Sequence, residues 1–287
     1  MPPDDTSNSL SLDASIALPP SGRGPDGPGD EPARRPNYLR FQMQVLKALI
    51  LRDLVSRDAS RLGFVLQIIM SLALFGSIII IWGVRGKVIA SELPFFVFLI
   101  TGFPPWTAFM STYTRTLSKT RGAEALLFFP QITKLDLIIS NAIVNLFLDT
   151  IVFIILMVIA CVMYGSLPDN IPGVFILYWS CVWLGAALGL CMSPIQRLAP
   201  TVVTFINMPL RLGMWVSGAI FSVNRLPAYF QPYLKWNPLL HAIEGIRHNW
   251  FEDYQVPVYN PMYIVVCGLV LTLFGLALER ATRRFIS

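Results

Sequence analysis

Residues 221–258 read FSVNRLPAYFQPYLKWNPLLHAIEGIRHNWFEDYQVPV and separate two long apolar segments, 198–223 and 256–278. They hold too many charged and amide side chains for a membrane span, because a polar group in lipid is costly unless it has a partner. They also hold too many large apolar side chains for a solvated loop. The 221–258 stretch is therefore predicted to lie at the edge of a membrane or to dip into it.

Helical spacing divides this stretch into two short amphipathic helices. The first covers 227–235. The second opens with Asn237 as a cap residue and Pro238 in the first turn, and runs to about Phe251. Its apolar side chains share one stripe: Leu239, Ile243, Ile246 and Trp250. Its charged side chains are predicted to lie on other faces: Glu244, Arg247 and His248.

A dip of this stretch into the membrane would indicate a polar pathway beneath it. Backbone outside a spanning helix is tolerated at membrane depth only where protein or a water-filled cavity surrounds it. The 221–258 stretch therefore favours a mouth over a polar pathway. The alternative is an interfacial loop that rests at the lipid headgroups.

The composition is that of a polytopic membrane protein and excludes an ordinary soluble domain. Of the 287 residues, 54% are hydrophobic and only 14% are charged, and the mean hydropathy is +0.59. The four cysteines lie in apolar segments without paired metal-ligand spacing, so they are predicted to be core residues. Residues 1–36 contain no apolar run that would make a signal peptide.

The predicted fold is all-α, with six transmembrane helices over 62–287. A spanning helix needs about 20 apolar residues, and six segments satisfy this condition: 62–84, 93–114, 136–164, 174–192, 198–223 and 256–278. Pro104 and Pro105 are predicted to bend the second span. Gly185 and Gly189 in the fourth form a small-xxx-small pair, which lets membrane helices approach closely.

The distribution of lysine and arginine predicts the orientation, because short cytoplasmic loops are enriched in both. Six spans place the two termini on one side, and most of the 22 basic residues lie there, before the first span, within 115–134 and after 278. The other side has only a few: Arg85, Lys87, Arg225, Lys235 and Arg247. Both termini are therefore predicted to be cytoplasmic, and the 221–258 stretch to face outward.

Two segments precede the first span. Residues 1–36 are rich in Pro, Gly, Ser and Asp and are predicted to be a disordered cytoplasmic tail, because they cannot bury enough apolar surface to fold. Residues 37–61 form a predicted amphipathic helix with one apolar stripe: Leu39, Met43, Leu46, Ile50 and Leu54. This basic helix is expected to lie on the cytoplasmic leaflet, to pack on another protein, or both.

The sequence shows no catalytic or metal-binding motif: no P-loop, no His-Glu-x-x-His and no Gly-x-Ser-x-Gly elbow. Two charges fall inside predicted spans, Asp149 and Arg211. Each lies 13 residues from the cytoplasmic end of its span, at 136 and 198, or about 20 Å at ~1.5 Å per residue. Either the two residues pair, or Arg211 lines a pathway for an anionic solute, because a guanidinium matches carboxylate and phosphate geometry.

Aromatic and amide side chains accompany Arg211 in the second and fifth predicted spans: Trp106, Phe109, Tyr113, Asn207, Trp215 and Phe221. Aromatic rings stack on sugar rings, so these residues and Arg211 form a candidate substrate channel. The alternative is ordinary packing, which is the commoner role of aromatic residues at helical spacing.

Four groups of residues resemble a known family: Arg52-Asp53-Leu54 with Arg57 and Arg61-Leu62-Gly63; Gly102 with Pro104-Pro105-Trp106; Leu126-Leu127-Phe128 with Pro130 and Leu135-Asp136; and Leu226-Pro227 with Tyr233-Leu234-Lys235-Trp236-Asn237-Pro238-Leu239-Leu240-His241, Glu244 and Arg247. Together with the six-span layout, residues 37–287 resemble the permease subunit of type-2 ABC exporters of bacterial surface polysaccharide, most closely the capsular polysaccharide permeases. Residues 1–36 have no counterpart there, and Gln67 and Ser71 stand where that family would carry a tryptophan and a proline.

The resemblance implies a transporter subunit within a complex, not an enzyme. Two copies of the permease would form the path in the bacterial inner membrane. Two copies of a separate ABC ATPase would dock beneath and bind the ATP and Mg²⁺, so this chain would need no cofactor. An acidic, lipid-linked polysaccharide would pass to a periplasmic adaptor of the co-polymerase type and to an outer-membrane exporter. No nucleic acid is implied.

The resemblance also implies roles for particular residues. The 37–57 helix and the 115–134 loop would couple to the ATPase through Arg52, Asp53, Arg57, Lys119, Arg121, Glu124, Leu127 and Phe128. Residues 224–256 would be two re-entrant outer helices that close the channel mouth. Their outer gate would consist of Tyr233, Trp236, Asn237, Pro238, His241, Glu244 and Arg247.

Three alternatives are left open by the sequence. The same machine could export O-antigen or teichoic acid instead of a capsule. The chain could be a membrane-embedded enzyme of glycan or lipid assembly, or a channel without energy input. Dependence on an ATPase partner separates the exporters from the last two.

Overall fold

A computed structural model gives the fold of the chain. It describes residues 38–57, 94–122, 133–225 and 229–286 except 252, 255 and 257, together with the single positions 69, 73, 76 and 77. Every regular element in these ranges is a helix. The predicted all-α class is therefore confirmed.

The α-helices follow one another as α1 (Tyr38–Arg57), α2 (Phe95–Gly122), α3 (Lys134–Tyr164), α4 (Ile171–Leu198), α5 (Pro200–Leu212), α6 (Gln231–Leu234), α7 (Pro238–Trp250) and α8 (Pro261–Ile286). Within the described ranges, four helices are long and apolar enough to cross a membrane, namely α2, α3, α4 and α8. They coincide with the predicted second, third, fourth and sixth spans. The predicted first span, 62–84, lies outside the described residues apart from isolated positions.

The ends of α3 show why the helix boundaries are sharp. The Thr133 side chain accepts a hydrogen bond from the Asp136 N–H, and Asp136 accepts one from the Thr133 N–H at 3.0 Å, which is a capping box. At the other end Gly165 adopts the left-handed conformation, with φ 63°, and donates its N–H to the Cys161 carbonyl at 2.9 Å. After the predicted orientation, we call the end of the molecule that holds Phe95, Tyr164 and Pro261 the outer end.

The helices α2 and α4 form the centre of the chain. Of the residues in their most apolar windows, 72% and 67% are buried, against 22% for α3 and 17% for α8. The helices α3 and α8 therefore lie at the periphery, and many of their apolar side chains point outward. This arrangement suits a protein whose outer surface contacts lipid.

Gly185 and Gly189 allow the two central helices to approach closely. A Cβ atom at Gly185 would overlap the Phe109 carbonyl oxygen of α2, and one at Gly189 would lie 2.7 Å from the Thr116 Cβ. The predicted packing role of this small-xxx-small pair is confirmed.

The helix α2 runs without interruption through Pro104 and Pro105, where the sequence predicts a bend. The Thr107 hydroxyl donates to the Pro104 carbonyl at 2.9 Å, and the Thr101 hydroxyl donates to the carbonyls of Val97 and Phe98, both at 3.0 Å. Side-chain hydroxyls of this kind bond to carbonyls inside a helix. A single helix therefore connects Phe95 at the outer end with Gly122.

The predicted fifth span, 198–223, does not form one continuous helix, and its crossing of the membrane stays a prediction. Here α5 covers only 13 residues, about 20 Å at ~1.5 Å per residue, whereas a bilayer core is about 30 Å thick. After Leu212 the chain forms a 3-10 turn at Gly213–Trp215, and Gly218 has a φ of 75°. A continuing α-helix excludes that positive φ, so 213–225 is irregular despite its apolar sequence.

The helix predicted after the N-terminal tail is present as α1, but its buried face differs from the predicted stripe. Leu49 and Asp53 are buried, whereas Met43 of that stripe is 68% exposed. Asp53 accepts a hydrogen bond from the Ser140 hydroxyl of α3 at 3.1 Å, and another from Arg52 at 3.3 Å. Leu46 and Ile50 of the stripe are half-buried, so the buried face of α1 is shifted from the predicted stripe and includes this polar contact.

We expect Gly185→Ala to destabilise the chain, because the added methyl group meets the backbone of Phe109. Overpacking of this kind costs about 1–3 kcal/mol, so the Tm of the protein in detergent should fall by several degrees. Gly76→Ala is the matched control, since a Cβ there meets nothing within 4 Å. An unchanged Tm for Gly185→Ala would contradict the close approach of α2 and α4.

Candidate functional site

The helix α7 begins where the sequence predicts. The Asn237 side chain accepts a hydrogen bond from the Leu239 N–H at 3.0 Å, and Pro238 occupies the first helical position. The helix ends at Trp250, one residue before the predicted end. The predicted stripe is buried throughout: Leu239, Ile243, Ile246 and Trp250. Both the helix and its apolar face are confirmed.

The helix α7 lies inside the fold and contacts α2, α4 and α8. Ten of its 13 residues are buried. The turn before α4 holds its end: the N–H groups of Asp169 and Asn170 donate to the carbonyls of Trp250 and Asn249 at 3.3 and 3.0 Å. The Trp250 indole donates to the Ser166 hydroxyl at 3.0 Å. The helix α7 is therefore enclosed by protein, and the predicted dip of this stretch into the membrane stays a prediction.

Glu244 and Arg247 are buried as completely as the apolar stripe, so the burial of α7 extends beyond that stripe to its other faces. Arg247 Nη1 donates to Glu244 Oε1 at 2.8 Å, and neither side chain is more than 1% exposed. The Arg247 guanidinium carbon lies 4.0 Å from the ring centre of Phe98 in α2. Its Nη2 donates to the Ala219 carbonyl at 3.5 Å. A buried ion pair needs such additional partners because desolvation of both charges is costly.

Tyr254 completes the partners of the Glu244 carboxylate. Its hydroxyl donates to Glu244 Oε2 at 2.9 Å and therefore accepts from the Ser222 hydroxyl at 2.6 Å. Burial, followed by the negative charge of Glu244, raises the pKa of Tyr254 above its ordinary value. The phenol therefore keeps its proton at neutral pH and serves as a donor.

His241 joins two segments next to α7. Its Nδ1 accepts from the Asn260 N–H at 3.2 Å, so its Nε2, 2.9 Å from the Lys235 carbonyl, carries the proton. These partners assign the neutral tautomer with hydrogen on Nε2. His241 thereby ties the chain after α6 to the start of α8.

The polar side chains of α7 satisfy the irregular backbone of 213–225. The Asn237 amide donates to the Val216 carbonyl at 3.4 Å, Arg247 donates to the Ala219 carbonyl, and the Val223 N–H donates to Glu244 at 3.4 Å. Buried backbone groups outside regular structure need partners of this kind. The helix α7, with its cap residue Asn237, therefore holds the segment that interrupts the fifth predicted span.

The predicted outer-gate residues divide into two groups. Tyr233 and Trp236, on and after α6, are 77% and 79% exposed, and Tyr229 and Phe230 before α6 are exposed as well. His241, Glu244 and Arg247 are buried in α7, while Asn237 and Pro238 are half-buried at its start. The exposed aromatic group and the buried polar group are adjacent but have different surroundings. Their role as a gate stays a prediction.

The candidate channel residues divide in the same way. Trp106, Phe109 and Tyr113 are buried in α2, and the Tyr113 hydroxyl donates to Asn207 of α5. Arg211 and Trp215 are exposed, and Phe221 is half-buried. Asp149 accepts a hydrogen bond from Ser111 at 2.9 Å. The structure thus gives Asp149 a different donor from the expected Arg211, and the channel role stays a prediction.

The predicted coupling residues are divided between the described helices and the part of the chain that the structure does not describe. Arg52 and Asp53 contact each other in α1, and Asp53 is buried on α3. Arg57, Lys119 and Arg121 lie in the helices α1 and α2. Glu124, Leu127 and Phe128 lie outside the described residues. Within the described part of the chain, no group of three or more His, Cys, Asp or Glu residues could hold a metal ion.

Sequence reasoning missed three members of the buried polar cluster, Phe98, Ser222 and Tyr254. Phe98 belongs to an apolar run at the start of α2 and carries no polar signal. Tyr254 and Ser222 lie in irregular segments, where periodicity gives no face. Only the burial of Glu244 and Arg247, which requires partners, would have pointed to such residues.

The fold and its buried charged helix define an all-α, multi-pass membrane protein. Residues 44–251, from α1 through α7, match the family model of the ABC-2 type transporters. The chain belongs to the ABC-2 type transporter family.

Several curated relatives cover most of the chain. The capsule polysaccharide export inner-membrane protein CtrC of Neisseria meningitidis serogroup B is 28% identical over 249 residues, which cover 84% of this chain and 91% of the relative. The polysialic acid transport protein KpsM of Escherichia coli is 26% identical, with 84% and 95% covered. The capsule polysaccharide export inner-membrane protein BexB of Haemophilus influenzae is 25% identical, with 84% and 92% covered.

Two tryptophans provide a matched test of the division between α6 and α7. Trp250→Ala should lower the stability by about 3–5 kcal/mol, because the indole is fully buried and donates to Ser166. Trp236→Ala should leave the stability nearly unchanged, because that indole is exposed. Thermal unfolding of both variants in detergent is the measurement. Equal losses in the two variants would refute the placement of α7 in the core.

Proposed function

We propose that this chain is the permease subunit of an ATP-driven exporter that moves capsular polysaccharide across the bacterial inner membrane. The relatives carry this proposal: proteins named for capsule polysaccharide export or polysialic acid transport match the chain over 91–95% of their own length. The match to the ABC-2 family model includes the 221–258 stretch up to residue 251. The alternatives of an enzyme or a passive channel have no comparable support.

The energy source of the proposed exporter is a separate ABC ATPase. The sequence contains no P-loop, so ATP and Mg²⁺ would bind to the partner chain. Its docking surface is proposed at α1 and the 115–134 loop, on the same side as both termini. The excess of basic residues on that side supports its cytoplasmic orientation.

A second copy of this chain is proposed to complete the translocation path. The short helix α5 buries Val203 and half-buries Asn207 and Leu210, while its other faces are exposed. The exposed side chains are large and apolar: Val202, Phe205, Met208 and Leu212. A face of this kind suits a partner copy or the wall of a path better than it suits water.

The proposed substrate is an acidic, lipid-linked polysaccharide that passes on to a periplasmic adaptor and an outer-membrane exporter. The Escherichia coli relative is named for polysialic acid, which is an acidic polymer. In this chain Arg211 is exposed at the end of α5, beside the exposed Leu212 and near Trp215. An exposed guanidinium and an exposed aromatic ring are each suitable contacts for an acidic sugar.

Purification of the chain from native membranes in nanodiscs, with mass spectrometry of the associated molecules, tests the proposed function. An ABC ATPase in equal amount, together with a glycolipid or a periplasmic adaptor, is the expected result. A chain that purifies alone and catalyses a reaction on lipid or sugar would refute the exporter.

Leu127→Asp combined with Phe128→Asp should uncouple the ATPase, because charges would replace the apolar side chains proposed to dock on it. We expect loss of ATPase co-purification or of export. Leu167→Asp is the matched control: Leu167 is exposed in the turn between α3 and α4, at the opposite end of the molecule. Normal co-purification and export in the double variant would exclude the docking role.

Arg211→Glu should stop export of an acidic polymer while membrane insertion stays intact, because the reversed charge repels the substrate. Arg211→Lys keeps the charge and should retain part of the export. The measurement is surface polysaccharide per amount of membrane-bound chain. Normal export by Arg211→Glu would rule out the channel role, and restored export in Asp149→Arg with Arg211→Asp would show a structural pair instead.

A further inference from the structure

Three separate elements meet at the guanidinium of Arg247. The residue belongs to α7, its planar group lies 4.0 Å from the centre of the Phe98 ring in α2, and its Nη2 donates to the carbonyl of Ala219 in the irregular 213–225 segment. Glu244 holds the other side of the group at 2.8 Å. Arg247 therefore contacts all three elements.

Gly102 shows how closely the three elements approach one another. A Cβ atom at this position of α2 would overlap the Ala219 carbonyl oxygen and would lie 2.8 Å from Arg247 Nη2. The 213–225 segment thus packs directly against α2, and the Arg247 guanidinium lies next to this contact between Gly102 and Ala219. Any displacement of this part of α2 must move Ala219 and Arg247 as well, because tightly packed interiors transmit strain.

Glu244 fastens the same segment at a second point. Its carboxylate accepts from the Val223 N–H, at 3.4 Å, and from Tyr254, which in turn contacts Ser222 at 2.6 Å. The ion pair therefore holds both Ala219 and Val223, four residues apart on the irregular segment. An irregular segment has no regular pattern of backbone hydrogen bonds of its own that would fix its conformation.

The helix α2 gives this cluster a connection to the opposite end of the molecule. It is one helix from Phe95 to Gly122, and its last residues lead into the 115–134 loop, where the ATPase is proposed to dock. Phe98 and Gly102 lie in its first two turns, at the outer end. A movement applied near Gly122 therefore reaches Arg247 through a single continuous helix.

We propose that Arg247 is a positioning residue for export, which joins α2 to α7 and to the 213–225 segment so that the three move as one body. This inference rests on the proposed function. In this proposal, a buried ion pair and a cation–π contact transmit movement to the outer end. The outer gate would then change shape at α6, whose aromatic side chains are exposed, while α7 stays attached to α2.

The test compares variants that remove the link but keep the volume of the cluster. Glu244→Gln with Arg247→Met replaces the ion pair by neutral side chains of similar size, a change that is often neutral for stability. Phe98→Leu removes the aromatic face but keeps an apolar side chain. Phe96→Leu is the matched control, since Phe96 stacks on Tyr164 at 5.3 Å and not on Arg247.

Two quantities are measured for each variant in the native host: sugar released from the washed cell surface per amount of permease–ATPase complex, and ATP hydrolysis by the purified complex. We expect normal amounts of complex, continued ATP hydrolysis, and export per complex lowered about tenfold in Arg247→Met with Glu244→Gln and in Phe98→Leu. Combining Phe98→Leu with the double variant should add little further loss, because all the changes break one connection. Phe96→Leu should export normally.

If Phe98→Leu and the double variant both export at the wild-type level per complex, the role of Arg247 is overturned. The proposed function is not affected by that result. A loss of export that only follows a loss of assembled complex would also overturn the proposed role of Arg247, since it would show a structural role. Should the double variant not assemble, Phe98→Leu decides between the same outcomes. Unchanged surface sugar after deletion of the gene would overturn the proposed function and, with it, this inference.

Discussion

The buried backbone of 213–225 is the constraint on which the outer end of this protein depends. A segment that is neither helix nor strand leaves N–H and C=O groups without partners, and burial makes this expensive. Here α7 supplies the missing partners from Asn237, Glu244 and Arg247. The buried ion pair of α7 therefore has a structural reason, because it provides partners for backbone groups of the 213–225 segment.

The outer end therefore has two kinds of helix: α7 is enclosed by other helices, whereas α5 and α6 expose much of their surface. The helix α7 is enclosed by α2, α4 and α8, and its end is bonded to the turn before α4. The short α6 presents Tyr233 and Trp236 outward, and α5 exposes most of its surface. The proposed contacts with a substrate and a second copy fall on these exposed helices, while α7 packs against the central helices.

Local signals in the sequence predicted the helix boundaries well, because caps and turns act within a few residues. Asn237-Pro238 marked the start of α7, and Gly185 with Gly189 marked a close contact between α2 and α4. The break after Leu212 was not predictable from hydropathy, since buried turns and lipid-facing helices have the same apolar composition. The burial of Arg247 was equally hidden, because its partner Phe98 is distant in sequence and carries no polar signal.

The most direct test of this account is an experimental structure of the permease with its ATPase in two states, nucleotide-free and ATP-bound. The account predicts that the Arg247 guanidinium stays over the Phe98 ring and against the Ala219 carbonyl in both states, while α6 changes its position. A structure in which α7 separates from α2 as an independent flap in either state would contradict it.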